Sequence, residues 1–278
     1  MQKSKFLLIQ GRALPQTDNS IQNFPENWKK EFPIINNLGF DGIEWIYNKK
    51  SETTNPLLSS DGRKEMVELS SQYDVKLESI VLDWFLSYPL LVHDELSIDK
   101  KMDKLIHLIN CSEEIGFKRI ILPMLEKNEI NSKNQKNAFK NVFEKDVLPY
   151  LDSKNIEIHL ETSLSPNEEN LLLNEINHEQ IKICFDMGNS TCFGFEPTEV
   201  ISTIGNHLGS VHIKDRMLNG PSVPLGKGSV DFYTVFKNLK KINFSGPYSF
   251  EVYRDRKLDN VQVIKNSLSF INNIISKM

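Results

Sequence analysis

The chain has 278 residues, of which 33 are basic and 37 are acidic, so its formal net charge at pH 7 is -4. Apolar residues make up 39% of the chain and charged residues 25%, which excludes an intrinsically disordered protein and is typical of a globular one with a sizeable core. The small acidic excess argues against a protein that binds nucleic acid or an anionic membrane, because both functions need a basic surface.

Short runs rich in β-branched and aromatic residues alternate along the chain with longer amphipathic stretches. These runs predict eight strands: Phe6–Gln10, Gly42–Tyr47, Lys76–Leu82, Arg119–Pro123, Ile156–Glu161, Ile181–Asp186, Gly209–Lys214 and Tyr248–Tyr253. The clearest predicted helix is Ile98–Ile115, where apolar residues recur at three- and four-residue spacing. Eight strands that alternate with helices predict an α/β protein with a single (β/α)8 TIM barrel, formed by residues 1–278 as one domain.

Other architectures and other compartments fit the sequence less well. A doubly wound sheet would carry a glycine-rich turn after the first strand, but the stretch from Gln10 to Pro15 contains no GxGxxG pattern. Three cysteines without a CxxC pair predict free thiols in a reducing compartment. The apolar run Phe6–Ile9 is too short for a signal peptide, and no segment approaches membrane-spanning length. We therefore expect a cytoplasmic protein that does not cross a membrane.

The ends of the last four predicted strands carry residues that bind metals. They are, in chain order, Glu161, Asp186, His212 and Glu251. Because the active site of such a barrel lies at the carboxyl ends of its strands, we expect these side chains to meet there. Each residue alone is more often a cap or a core residue, so the joint placement carries the prediction. Three carboxylates and one imidazole suit one divalent ion, with Mn²⁺ preferred and Mg²⁺, Co²⁺ or Zn²⁺ as alternatives.

Five stretches in chain order also suggest a family: LGFDGIEW (Leu38–Trp45), CFDMGNS (Cys184–Ser190), SVHIKDR (Ser210–Arg216), PLGKGSVDF (Pro224–Phe232) and FEVY (Phe250–Tyr253). Together they resemble the xylose isomerase-like barrels of sugar-phosphate isomerases and epimerases. The resemblance implies a divalent metal held by the same four residues. Asn189 stands where free-ketose 3-epimerases usually carry His, and the DxGN stretch is more similar to the pentulose-5-phosphate 3-epimerases.

The four predicted ligands and the resemblance of the DxGN stretch together predict 3-epimerisation of a ketose or ketose phosphate through a metal-stabilised enediolate. Glu161 and Glu251, approaching from opposite faces, would remove and return a proton at one carbon. A proton moved on one face between neighbouring carbons would instead give aldose–ketose isomerisation, and the sequence does not separate the two. A lyase of the inosose dehydratase type, a free-ketose isomerase and a non-catalytic barrel are alternatives. A nuclease similar to endonuclease IV is disfavoured, because the third and fourth predicted strands end without His.

Four further residues are predicted to contact a small-molecule sugar or sugar phosphate. Glu44, near the end of the second strand, would hydrogen-bond a substrate hydroxyl, and Lys214 and Arg216 would stabilise developing oxyanions. Lys227 lies between two glycines in the loop of residues 222–229, before a predicted helix near Asp231. Because barrels often bind phosphate after their last strands, we expect this loop to bind it, with Arg216 or Arg254 as alternatives. The sequence leaves open whether the protein is a homo-oligomer.

Overall fold

The computed structural model describes residues 5–15, 22–92, 94–254 and 258–278. Eight parallel strands close into a barrel in which each strand pairs with the next one along the chain and the last pairs with the first. They are β1 (Phe6–Ile9), β2 (Gly42–Ile46), β3 (Lys76–Val81), β4 (Arg119–Met124), β5 (Glu157–Thr162), β6 (Ile181–Asp186), β7 (Leu208–Ile213) and β8 (Tyr248–Phe250). The predicted (β/α)8 barrel is confirmed.

The helices follow the strands and surround the barrel. They are α1 (Glu31–Leu38), α2 (Ser60–Tyr73), α3 (Trp84–Ser87), α4 (Ile98–Ile115), α5 (Lys133–Val142), α6 (Leu148–Leu151), α7 (Pro166–Ile176), α8 (Met187–Cys192), α9 (Pro197–Ile204), α10 (Phe232–Lys241) and α11 (Asn260–Ile275). Phe143–Val147 forms a π-helical turn between α5 and α6, and short 3-10 turns lie at Trp28–Lys30, Lys49–Ser51, Pro56–Leu58, Glu126–Asn128 and Gly205–His207. In the part of the chain described, no helix is both long and apolar enough to cross a membrane.

Helix α4 has the predicted boundaries because both of its ends are capped. The hydroxyl of Ser97 accepts a hydrogen bond from the backbone N–H of Lys100 at 3.3 Å. Gly116 ends the helix with a φ of 93°, in the left-handed region that glycine adopts without strain. Local sequence signals therefore decide where this helix begins and ends.

The core has two parts, because side chains along a strand alternate between the barrel interior and the helices. In the larger part, the outward-facing strand residues pack against the helices. There the ring of Trp45 is tilted against that of Phe24 and edge-on to that of Trp28. A separate apolar cluster comes only from barrel strands: Ile9, Ile46, Val81, Ile121 and Cys184. The barrel interior below the mouth is thus filled by side chains and does not form a pore.

Most predicted strand ends differ from the observed ones by a single residue, and the largest difference is in β8. This strand ends at Phe250 instead of Tyr253, so Glu251 lies just beyond it. The backbone N–H of Glu251 still donates to the carbonyl of Ile213 at 3.0 Å. Glu251 therefore stays at the barrel rim although it lies outside the strand.

A buried carboxyl group joins α7 to the end of β5. Oε1 of Glu169 on α7 accepts a hydrogen bond from the hydroxyl of Thr162 at 2.7 Å, and Glu169 is only 8% exposed. Burial raises the pKa of Glu169 to about 8, because desolvation penalises the charged carboxylate. The folded protein therefore holds this proton at neutral pH, whereas the unfolded chain, with a glutamate pKa of about 4.3, does not.

We predict that Glu169→Gln makes stability less dependent on pH. Between about pH 5 and 8 the folded wild-type chain binds the Glu169 proton more tightly than the unfolded chain, so its stability falls as pH rises. Gln keeps the acceptor for Thr162 and cannot ionise, so the variant should lose less stability, by up to about 1.4 kcal/mol per pH unit. Urea unfolding across this range measures the difference. Glu175→Gln, at a mostly exposed position of the same helix, is the control, and parallel wild-type and Glu169→Gln profiles would contradict the prediction.

Candidate metal and active site

The predicted metal-binding residues meet at one point in the barrel mouth. Asp186 and His212 are partners in the register of β6 and β7, and Glu161 lies on the neighbouring strand β5. One ligand atom from each of these three side chains lies within 4.8 Å of the others. Nδ1 of His212 is 4.0 Å from Oε2 of Glu161, 4.0 Å from Oδ2 of Asp186 and 3.5 Å from Oε2 of Glu251. Glu251 therefore adjoins the other three, and we call all four residues the cluster.

The donor atoms in the cluster suit a divalent ion. Oδ2 of Asp186 and Nδ1 of His212 are buried, and neither has a hydrogen-bond partner among the described residues. Leaving such atoms unsatisfied in a protein interior is costly, so their convergence points to a ligand. Ligand atoms held about 2–2.6 Å from an ion lie about 3–5 Å from one another, as these atoms do. Glu161, Asp186 and His212 could therefore hold a metal.

The negative charges of the buried carboxylates in the cluster also favour a bound cation. Burial raises the pKa of Glu161 to about 8, with further contributions from the negative charges of Asp186 and Glu251. Burial also raises the pKa of Asp186. Three carboxylates with little access to water repel one another, and a positive charge between them removes this repulsion.

Glu251 differs from the other carboxylates because two cations hold it. Nζ of Lys214 donates to Oε1 of Glu251 at 2.6 Å and lies 3.6 Å from Oδ2 of Asp186. Nη2 of Arg12 is 3.6 Å from the same Glu251 oxygen. Burial acts to raise the pKa of Glu251, but Lys214, His212 and Arg12 outweigh it and hold that pKa well below its usual range. Lys214 thus acts on the cluster itself as well as facing the cleft.

The side chain of Asn189 positions Glu161, and the lack of a side chain at Gly188 leaves room for Lys214. The carboxamide of Asn189 donates from Nδ2 to Oε1 of Glu161 at 2.7 Å and accepts from Nη1 of Arg216 at 2.9 Å. The other Glu161 oxygen is therefore left facing His212. At the neighbouring position, a Cβ on Gly188 would lie 2.9 Å from Cγ of Lys214. Glycine therefore leaves the space that the Lys214 side chain occupies.

Glu44 lies below the cluster, not in the mouth, which corrects the prediction that it contacts substrate. It is 0% exposed, and its Oε2 accepts hydrogen bonds from the hydroxyls of Ser79 at 2.6 Å and Ser249 at 2.9 Å. Its Oε1 is 2.8 Å from Nε2 of His212. Because Glu44 is inward-facing and lower in the barrel, it contacts the far side of the imidazole ring and orients it.

The loop around Lys227 does not form the predicted phosphate site. The backbone N–H groups of Gly226 and Gly228 donate to Oδ2 of Asp215 at 2.8 and 2.9 Å, and that of Val230 donates to Oδ1 at 3.2 Å. The chain's own buried carboxylate thus occupies the groups that would have bound phosphate. Lys227 is exposed and does not line the main cleft.

The cluster opens into a cleft of about 750 Å³ at the carboxyl ends of the strands. Lys214 and Arg216 line it, together with Arg12 and Asp83, which the strand pattern of the sequence had not singled out. Both follow the ends of barrel strands. A search for charged residues just after β1 and β3, like the one made for the last four strands, would have found them. Burial raises the pKa of Asp83 to about 7, and the nearby charge of Glu251 adds to this effect.

Comparison with known proteins agrees with the barrel fold. A family model described as xylose isomerase-like TIM barrel matches residues 32–274. The chain belongs to this family. The resemblance seen in the five sequence stretches is thereby confirmed, and so is the expectation of an enzyme among sugar isomerases and epimerases.

Individual relatives are distant in sequence but similar in length and fold. L-ribulose-5-phosphate 3-epimerase UlaE of Salmonella heidelberg is 21% identical over 237 residues, which cover 83% of this chain and 84% of the relative. The solved structure of IOLI protein with a zinc atom has a TM-score of 0.76 at 17% identity and covers 98% of both chains. The 3-keto-D-glucoside 4-epimerase YcjR from E. coli has a TM-score of 0.74 at 16% identity, covering 98% of this chain and 100% of that one.

We predict that Asp215→Asn destabilises the protein by about 2–4 kcal/mol, because the amide cannot replace a carboxylate that accepts three backbone N–H groups. Urea unfolding measures the loss. Asp103→Asn, an exposed change on α4, controls for the loss of a negative charge and should have little effect. Equal stability of the Asp215 and Asp103 variants would show that the carboxylate does not hold the loop.

Proposed function

We propose that this protein is a divalent-metal-dependent sugar epimerase that inverts one carbon of a ketose or ketose phosphate. The observation that carries the proposal is the approach of Glu161 and Glu251 to the same imidazole nitrogen of His212, at 4.0 and 3.5 Å, inside a cleft large enough for a sugar. The names of the relatives support the class of reaction. The preferred metal, Mn²⁺, and a chain folded as one domain are parts of the same proposal.

Glu161, Asp186, His212 and Glu251 would hold the ion. When bound, a divalent ion would polarise the substrate carbonyl and stabilise the negative charge that follows proton removal. Glu44 would keep the imidazole in position through Nε2, since histidine ligands are usually oriented by a partner on the second ring nitrogen. The remaining steps depend on the side chains of this chain.

The two glutamates would exchange protons with opposite faces of one substrate carbon. They come from β5 and from the residue after β8, with Asp186 and His212 on the two strands between them. A proton removed by one carboxylate and a proton returned by the other inverts the carbon. Asn189 holds Glu161 and Lys214 holds Glu251, so each group stays within reach of its own face. Arg216, also bound to Asn189, lines the cleft beside Glu161.

We predict that Asp186→Asn weakens binding of Mn²⁺ and Mg²⁺ at least tenfold, because a neutral amide neither balances the ion's charge nor matches a carboxylate as a ligand. Isothermal titration calorimetry of the metal-free chain measures the affinity. The matched control is Glu169→Gln, which changes a buried carboxyl that contacts Thr162 instead of the cluster. Unchanged affinity in Asp186→Asn would place the metal elsewhere.

We predict that Glu161→Gln and Glu251→Gln each lower turnover by about 10²–10⁴-fold, because each removes an acid–base group. A panel of pentuloses, hexuloses and their phosphates, assayed with Mn²⁺ in D₂O, identifies the substrate. NMR should show solvent deuterium at the inverted carbon of the product, as exchange through two carboxylates requires. Glu169→Gln is the control.

Two results would contradict the mechanism. Near wild-type turnover by either variant would show that the corresponding glutamate is not essential. Inversion without deuterium in the product would show that the proton is not exchanged with solvent through two bases. A product that has lost water would instead indicate a lyase.

A further inference from the structure

A carboxyl group lies across the cleft from the metal-binding cluster. Asp83 follows β3, which is four strands away from β7 in either direction around the closed ring of eight strands. β7 carries His212, and both Asp83 and His212 line the cleft. A sugar bound to the cluster would therefore have Asp83 on the side that points away from His212.

The carboxyl of Asp83 has no partner among the residues that the structure describes. No hydrogen bond or ion pair holds it there, and it does not cap α3, the helix that begins at the next residue. By contrast, the buried carboxyls of Glu44, Glu169 and Asp215 accept hydrogen bonds at 2.6, 2.7 and 2.8 Å. Because polar groups inside proteins are normally bonded, an unbonded carboxyl that lines a cleft points to a ligand.

At neutral pH the Asp83 carboxyl is close to the midpoint of its titration. Burial raises its pKa to about 7, and the negative charge of Glu251 acts in the same direction. The positive charges of Arg12, Lys214 and His212 lower the pKa but do not cancel the effect of burial. The group can thus accept a hydrogen bond as a carboxylate or donate one as an acid. A sugar hydroxyl satisfies both forms, because it is itself a donor and an acceptor.

The backbone on both sides of Asp83 is held in place. The N–H of Leu82 donates to the carbonyl of Ile121 on β4 at 3.0 Å, and the N–H of Trp84 donates to the carbonyl of Tyr47, just after β2, at 3.0 Å. Asp83 is thus fixed between the two strands that flank β3. A binding group that is already fixed loses little conformational entropy when a ligand binds. The position of Asp83 therefore suits recognition of one particular group on a substrate.

The side of the cleft that carries Asp83 is acidic. Glu126 and Glu129 line it after β4, and Glu129 accepts a hydrogen bond from Nδ2 of Asn131 at 3.1 Å. Acidic groups on one wall repel an anionic group of a substrate. A neutral hydroxyl meets no such repulsion and gains a charge-assisted hydrogen bond to Asp83. This side of the cleft therefore favours the hydroxyl-bearing part of a sugar over a phosphate or carboxylate group.

We infer that Asp83 binds a hydroxyl group of the sugar on the side of the cleft opposite His212, and that it selects substrates that carry this hydroxyl. The inference rests on the proposed function, because it names a specificity-determining residue of the same cleft. The competing explanation is that Asp83 is a structural carboxyl without contact to substrate. The two explanations predict different effects on stability and on activity when the carboxyl is removed.

The first test is urea unfolding of Asp83→Asn and Asp83→Ala. Because the carboxyl has no partner in the described protein, neither change should lower the unfolding midpoint. Glu129→Gln is the matched control, since Glu129 lines the same side of the cleft and its carboxyl is bound to Asn131. A midpoint clearly below that of Glu129→Gln in both Asp83 variants would show a structural role and overturn the inference.

The second test is kinetic and uses the ketose that the substrate panel identifies. Asp83→Ala should lower kcat/KM for that ketose about 10- to 100-fold, because it removes a hydrogen bond to a charged group. Asp83→Asn, which keeps one oxygen acceptor, should lose less. Single-deoxy analogues of the ketose show which hydroxyl is bound, because wild type and Asp83→Ala should have the same kcat/KM for the analogue that lacks it. An equal fractional loss for the ketose and every deoxy analogue, or no loss, would overturn the inference.

If the wild-type chain turns over no sugar, the proposed function fails, but a binding measurement still decides the role of Asp83. The probe is a pentulose, titrated into the full chain with Mg²⁺ present and followed by saturation-transfer NMR. Asp83→Ala should weaken its binding about 10- to 100-fold. Equal affinity in wild type and Asp83→Ala, or no binding by the wild-type chain, would show that Asp83 does not bind the sugar.

Discussion

The burial of three carboxylates around one imidazole is the constraint on which the mouth of this barrel depends. Glu161, Asp186 and Glu251 are each at most 6% exposed, and an ionised carboxylate loses strong hydration when it is buried. The protein meets this cost with cations and hydrogen-bond donors placed around the three carboxylates. Lys214 and Arg12 face Glu251, the amide of Asn189 binds Glu161, and the backbone N–H of Asn189 donates to Asp186 at 2.7 Å. The oxygen atoms left over point toward Nδ1 of His212.

Residues outside the cluster keep these partners in place. Below it, Glu44 joins β2, β3, β7 and β8 through Ser79, His212 and Ser249, so a single inward-facing layer fixes the imidazole ring. Beside it, the short hairpin of Asp215–Arg216 and Ser222–Val223 carries Arg216 to Asn189. The buried carboxylate of Asp215 holds the loop that follows the hairpin. Side chains that bind a metal or transfer a proton must be held within about half an ångström of their working positions. Supporting contacts of this kind limit their movement.

Membership of the family indicates the type of reaction, whereas the residues that line the cleft determine which substrate fits. The relatives share the barrel at 16–21% identity, yet the sugars in their names differ, from L-ribulose 5-phosphate to 3-keto-D-glucoside. In folds of this kind the barrel and the side chains at its mouth determine the type of chemistry, while the loops that line the cleft determine the substrate. In this chain the loops after β3 and β4 bring Asp83, Glu126 and Glu129 to the cleft, whereas basic side chains outnumber the cluster carboxylates from β7 round to β2. That asymmetry is a property of these particular loops and does not follow from the fold.

The sequence alone was sufficient for the architecture and for much of the site. The period of apolar residues and local caps such as Ser97 and Gly116 mark strands and helices, because hydrogen bonds and side-chain alternation act over a few residues. Because the carboxyl ends of all barrel strands lie at the same rim, the positions of Glu161, Asp186 and His212 at predicted strand ends placed them together. Only the tertiary structure could assign Glu44 to the layer beneath the imidazole, turn the glycine loop toward Asp215 and bring Arg12 to Glu251. Those contacts join residues 11 to 239 positions apart, and their partners depend on strand register and loop path, which no local pattern encodes.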